Sequence, residues 1–133
     1  MRPRNRILVL EDSLPLQEEL VRALKTLSPD LRIDCATSVD EVDLNSRSGR
    51  FRLDSLYDLV ISDVILSGEM SGIEFWALCE REFPLLKFVL MSGMDRGEYL
   101  REIRTYHRKP PRFLQKPFTP GECRAVVEEL IYG

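Results

Sequence analysis

The chain has 133 residues, 44% of them hydrophobic and 31% charged, with 19 Lys plus Arg against 22 Asp plus Glu, for a formal net charge of -3. That length supports one domain around one core, not two side by side, and the acidic balance argues against generic nucleic-acid binding, which needs a basic field to displace phosphate counterions. No apolar run approaches the roughly 18–20 residues that span a bilayer, and the run behind the basic N-terminus, residues 7–10, is too short for a signal peptide.

Residues 7–10 (ILVL) have the pattern of a strand buried on both faces of a parallel sheet. The run ends in Glu11-Asp12-Ser13. Leu16, Leu20, Ala23, Leu24 and Leu27 then recur as one helical stripe. Ser13 suits the N-cap, Pro15 the first turn, and Ser28-Pro29 the stop. Residues 31–36 (LRIDCA) alternate, which predicts a strand with one exposed face. Residues 37–44 predict a short helix on Val39, Val42 and Leu44, and the polar, Gly-interrupted residues 45–54 predict a loop. Residues 57–62 (YDLVIS) predict a second buried strand ending at Asp63, followed by the turn-rich residues 67–72 (SGEMSG).

A helix is expected over residues 73–83, with Ile73, Trp76, Ala77 and Glu80 in register and Pro84 as its stop. Residues 87–91 (KFVLM) predict a third buried strand before Ser92-Gly93. A polar helix over 95–104, a connector (TYHRKPP) and a short strand over 112–115 lead to Lys116-Pro117. Thr119-Pro120-Gly121-Glu122 matches a capping box with Pro at the first helical position. The helix it opens runs to about residue 131 on Cys123, Val126, Val127, Leu130 and Ile131.

Strand and helix thus alternate five times. Parallel strands joined by right-handed crossovers place helices on both faces of a doubly wound sheet, and ligands bind at the carboxyl ends of its strands. Those ends carry Glu11 and Asp12, Asp63, Ser92 and Lys116. Three carboxylates in one pocket repel each other unless a divalent cation joins them. Oxygen ligands without His or thiolate select Mg2+ or Mn2+. With a lysine and a hydroxyl beside them, they form a phosphoryl-handling set.

Other residues carry less chemistry. Cys35, Cys79 and Cys123 form no CxxC pair and are expected as small buried residues in a reducing cytoplasm. His107 is the single histidine, which excludes His-pair metal sites and argues against a Ser-His-Asp hydrolase. Met70, Trp76, Met91 and Met94 are expected in packing and loops. Arg101, Arg104, His107, Arg108, Lys109 and Arg112 read as a solvated basic face, or in a sharper reading as a docking surface for an acidic partner or a second copy of the chain.

In order and strand context, these motifs resemble the receiver domain of two-component response regulators, over essentially residues 1–133 as a single domain (core roughly 5–131) with no output domain. The resemblance implies a flavodoxin-like (βα)5 fold. It implies that Glu11 and Asp12 hold Mg2+ (or Mn2+) with Asp63 and the main-chain carbonyl of Ile65. Asp63 is the implied phosphoacceptor, Ser92 and Lys116 the phosphate-binding residues, and Ser92 with Phe113 the switch pair. Three features depart from the family pattern. The first acid is Glu where Asp is more frequent, the loop VILSGEMSG lacks the usual Met-Pro step and is one residue longer, and Lys109-Pro110-Pro111 stands where Gly-Ala is usual.

The resemblance also implies the function. Asp63 takes a phosphoryl group from a sensor histidine kinase, a histidine phosphotransfer protein or a small donor, and the new charge switches a surface that contacts a downstream protein or an attached output domain. The chain is then no enzyme beyond self-phosphorylation and slow self-dephosphorylation, since Ile65 cannot position a water. It works in the cytoplasm, without membrane or direct nucleic-acid contact, as a monomer or a homodimer. Two rivals exist. A haloacid-dehalogenase-like Mg2+ phosphatase needs D-x-D, but the sequence reads Asp63-Val64-Ile65. A phosphorylation-independent interaction module has no need of the full acid and lysine set.

Overall fold

The computed structural model describes residues 4–46 and 53–133. Its strands β1 (Arg6–Leu10), β2 (Arg32–Ala36), β3 (Leu59–Asp63), β4 (Lys87–Ser92) and β5 (Arg112–Gln115) are parallel and form one sheet in the order β2-β1-β3-β4-β5. The helices are α1 (Leu14–Leu27), α2 (Val39–Ser46), α3 (Leu53–Leu56), α4 (Gly72–Glu82), α5 (Arg96–Arg104) and α6 (Pro120–Tyr132).

Side chains alternate across a strand, and this splits the core in two. Ile7, Val9, Leu59, Ile61, Val89 and Met91 face one way and pack with Leu20 and Leu24 of α1 and with Cys123, Val126, Val127 and Ile131 of α6. Leu8, Leu10, Val60, Phe88 and Leu90 face the other way, onto Trp76 and Cys79 of α4 and Tyr99 and Ile103 of α5. The central strands are therefore apolar on both faces, and their continuous apolar runs record that double burial.

Capping residues end the helices as the sequence predicts. Ser13 accepts from Leu16 N–H at the start of α1, with a proline in the first turn. Thr119 and Glu122 form the reciprocal box that opens α6. A second box, Ser71 with Glu74, opens α4 within the stretch that the sequence reads as a turn-rich loop.

Several expectations need correction. Ser46 is still helical and Leu53–Leu56 form one helical turn, so both ends of the expected 45–54 loop are helix, and among the described residues α2 and α3 lie between β2 and β3. Residues 47–52 of that loop lie outside the described residues. Strand β3 starts at Leu59, two residues late, and includes Asp63. In α4 the buried stripe is Ile73, Phe75, Trp76 and Cys79, while Glu80 is only half-buried, because the helix turns its aromatic side toward β4. Phe75 meets Phe88 edge-to-face at 5.9 Å. Cys79 and Cys123 are buried as expected, but Cys35 is exposed, because β2 is an edge strand with little packed over it. The six basic residues of the 101–112 region are all exposed, and Arg112 pairs with Glu129 of α6. No helix among the described residues is long and apolar enough to cross a membrane.

Candidate functional site

β1 is the strand at which the strand order reverses, pairing with β2 on one side and β3 on the other. Loops leave the carboxyl ends of β1 and β3 in opposite directions there, and the gap between them is where doubly wound sheets bind ligands. The register pairs Leu10 with Ser62, so the next residues, Glu11 and Asp63, stand side by side at that gap. Oxygens of Glu11, Asp12 and Asp63 all lie within 4.8 Å of one another.

Strands β4 and β5 deliver the lysine. Ser92 ends β4, and its carbonyl accepts the Lys116 N–H at 2.7 Å. Pro117 follows through a cis peptide bond. Lys116 Nζ then reaches across the rim and donates to Asp63 Oδ2 at 2.6 Å and to Glu11 Oε1 at 2.8 Å.

Glu11 is 1% exposed and Asp63 8%, whereas Asp12 lies at the open lip. Glu11 Oε2 accepts from Ser13 N–H at 3.0 Å, and Asp63 Oδ1 from Ile65 N–H at 3.2 Å. Burial pushes the Glu11 carboxyl above its ordinary range, against the pull of its hydrogen bond from Lys116. For Lys116, burial works against the ammonium, but the hydrogen bonds to Asp63 and Glu11 outweigh it and hold its pKa above the usual lysine value.

The remaining expected residues lie around this cluster. Ser92 is buried at 3%, and its hydroxyl accepts the Met94 N–H at 3.1 Å. Among the described residues no hydrogen bond joins it to Asp63. Ile65 points its side chain to solvent, 70% exposed. Phe113 is stacked on Tyr99 at 4.2 Å with an interplanar angle of 17°. Tyr99 is 1% exposed and its hydroxyl donates to the Pro111 carbonyl at 3.0 Å. Three residues that bear on the site were missed in the sequence. Gln17 donates to the Glu11 carbonyl at 2.6 Å, Ser67 contacts the end of β2, and Tyr99 backs Phe113. Only Tyr99 has a signal, its spacing of four from Ile103 on a helix whose one other apolar residue is Leu100.

The chemistry of the donor set fits a hard divalent cation. Formally, three carboxylates and one ammonium leave a charge of -2. All the candidate ligand atoms are oxygens, the type Mg2+ takes. Glu11, Asp12 and Asp63 are the residues that would hold the ion.

No protein-family model matches the chain. The response regulator Rre1 of Synechocystis sp. is 29% identical over 126 residues, covering 93% of this chain and 51% of that protein. The chain thus spans about half the length of the curated relative it matches. Among solved structures, the chemotaxis response regulator CheY4 of Vibrio cholerae superposes with a TM-score of 0.73 at 18% identity, covering 95% of this chain and 98% of that one. The signal receiver domain of an HD-domain-containing protein from Pseudomonas fluorescens reaches 0.76 at 20% identity, covering 99% and 90%. The resemblance read from the sequence therefore holds in a curated relative and in solved structures, and the fold is the flavodoxin-like fold of response-regulator receiver domains.

Proposed function

We propose that the chain is a phosphorylation-dependent signalling receiver whose acceptor is Asp63. The observation that carries this reading is the shared lysine. One ammonium bridges Glu11 and Asp63 at 2.8 and 2.6 Å, at the switch point of the sheet and beside a third acid. A structural ion pair needs one acid, and two acids on one lysine with a third beside them suit a divalent cation and an incoming phosphoryl group.

In the proposed reaction an Asp63 carboxylate oxygen attacks the phosphorus of a phosphohistidine on a sensor kinase or histidine phosphotransfer protein. A P–O bond forms to Asp63, the P–N bond breaks with its electron pair going to the ring nitrogen, and that nitrogen takes a proton from water as the imidazole leaves. Lys116 is already on the Asp63 carboxylate and passes to a phosphoryl oxygen as the acyl phosphate forms. The cation, when bound, offsets charge on the transferring group. The product adds about 1.5–2 negative charges to the rim. The buried Ser92 hydroxyl exchanges Met94 N–H for a phosphoryl oxygen, and Phe113 reorients with its stacking partner Tyr99. A local charge thus biases a two-state element, and the surface of α5, β5 and α6 reports it to a downstream protein or an attached output domain. The setting is the cytoplasm. As in signalling receivers generally, the chain has no substrate to turn over.

The test is binding of Mg2+ followed by beryllofluoride, a mimic of the phosphoryl group. Saturable binding of both, lost in Asp63→Asn, is the expected result. Absence of binding by the unaltered protein refutes the reading and favours a phosphorylation-independent interaction module.

A further inference from the structure

The two segments that carry the acids are both tied to one short stretch at the end of β2. On one side, Glu11 N–H donates to the Ala36 carbonyl at 3.0 Å, and Gln17 Nε2 donates to the Glu11 and Ala36 carbonyls at 2.6 and 3.4 Å. On the other, the Ser67 hydroxyl donates to the carbonyl of Thr37, the next residue, at 3.1 Å. Thr37 is itself held, since its N–H and its hydroxyl both donate to Glu41 Oε1 of α2. Gly68 completes the contact. Its φ of 94° lies in the left-handed region, and a Cβ there would sit 3.1 Å from Asp40 Oδ2 and 3.4 Å from Ser38 Cβ. The loop therefore lies directly on the corner between β2 and α2.

Its two ends are fixed by other means. Gly72 N–H donates to the Val64 carbonyl at 2.8 Å, and Leu66 is buried in the core. Ile65 sits between the anchored Val64 and the buried Leu66, so the path of residues 66–68 bears on the direction of its carbonyl. A Met-Pro step would stiffen such a loop from within, because proline fixes φ at about -65°. Leu66-Ser67 has no such restriction, and the Ser67 hydrogen bond supplies one from outside.

We propose that Ser67 is a positioning residue for the cation, holding the loop after Asp63 against Thr37 so that the Ile65 carbonyl and the acids present one fixed set of oxygens. This role rests on the reading of the cluster as a Mg2+ site. Mg2+ demands near-octahedral geometry at about 2.0–2.1 Å, whereas Ca2+ accepts longer and more varied oxygen contacts. A loop released from the β2 corner therefore loses Mg2+ more than Ca2+, a change in selectivity that general destabilisation does not produce.

Calorimetric titration of the full chain with MgCl2 and with CaCl2 tests this. Ser67→Ala, at an exposed position, is expected to weaken Mg2+ by about two- to tenfold, the worth of one hydrogen bond, and Ca2+ by less than about twofold. Ser67→Thr keeps the hydroxyl and is expected to keep the selectivity. Gly68→Ala displaces the same loop through Asp40 and is expected to repeat the loss. Wild-type Mg2+ binding with Ser67→Ala unchanged, or with both cations weakened equally, overturns this role and leaves the site reading intact. No Mg2+ binding by the wild type overturns both.

Discussion

Replacing Lys116 with methionine keeps most of the side-chain length and deletes the ammonium that Glu11 and Asp63 share. The two carboxylates then face each other within 4.8 Å, a repulsion of about 3.5 kcal/mol at an effective dielectric near 20. Glu11 is 1% exposed, but the Lys116 side chain is 25% exposed and water can enter from the Asp12 side. That screening places the loss at about 2–3 kcal/mol at neutral pH, below the roughly 3–5 kcal/mol of a fully buried broken pair. For a chain of this length it lowers Tm by about 6–12 °C. Burial already holds the Glu11 carboxyl above its ordinary value, and without Lys116 it rises further. A carboxyl raised in the folded state lends stability that is fully present below its unfolded pKa of about 4.3 and is lost as pH rises through its folded pKa. The deficit of Lys116→Met must therefore shrink between pH 7 and pH 5. It must also shrink in Mg2+, because a cation bound only by the folded state adds RT ln(1 + [L]/Kd), and the variant, with no ammonium competing for the same carboxylates, has the lower Kd and gains more than wild type. Urea unfolding followed by circular dichroism, at both pH values and with and without Mg2+, measures all three. A variant within about 0.5 kcal/mol of wild type, or a deficit indifferent to pH and Mg2+, refutes the reasoning.

Other outcomes are equally specific. Gly72→Ala places a Cβ 1.8 Å from the Asp63 carbonyl oxygen, so it is expected to cost more than about 3 kcal/mol in urea unfolding, and a fully stable variant contradicts the packing described. One thiol of three, Cys35, is expected to react with a disulfide reagent in the folded protein, more slowly than a free thiol because partial burial and Asp34 raise its pKa, while buried Cys79 and Cys123 stay protected. Burial also pushes the Cys123 thiol up to about 11, and three reactive thiols before denaturation contradict this. Ile65 is exposed beside Asp63 with no polar group to orient a water, so an acyl phosphate there is expected to outlast removal of the donor by hours. Decay within seconds, followed by intact mass, contradicts it.

The parallel sheet is legible because central strands buried on both faces must be apolar throughout, and residues 7–10 and 87–91 are. Chain order and strand ends then place Glu11, Asp63, Ser92 and Lys116 on one rim without any knowledge of side-chain positions. Edges and corners are less legible. Cys35 looks like a core residue by type, but strand order alone decides that β2 is an edge. The helical ends of the 45–54 stretch are masked by its Gly and charged residues, since tertiary packing of Leu53 outweighs weak local propensity. Ser67 and Gln17 act through single hydrogen bonds to main-chain carbonyls far away in sequence, and no local pattern encodes such contacts. The stacking of Phe113 on Tyr99 depends in the same way on how α5 packs against β5.

The central claim is that Asp63 accepts a phosphoryl group in a cation-dependent way. Incubation with acetyl phosphate and Mg2+, followed by intact mass, borohydride reduction and peptide mapping, tests it most directly. The expected result is one phosphoryl group per chain, mapped to Asp63, abolished by chelation of the metal and by Asp63→Asn. A chain that stays unmodified, or an equal yield of phosphate on Asp63→Asn, contradicts the account.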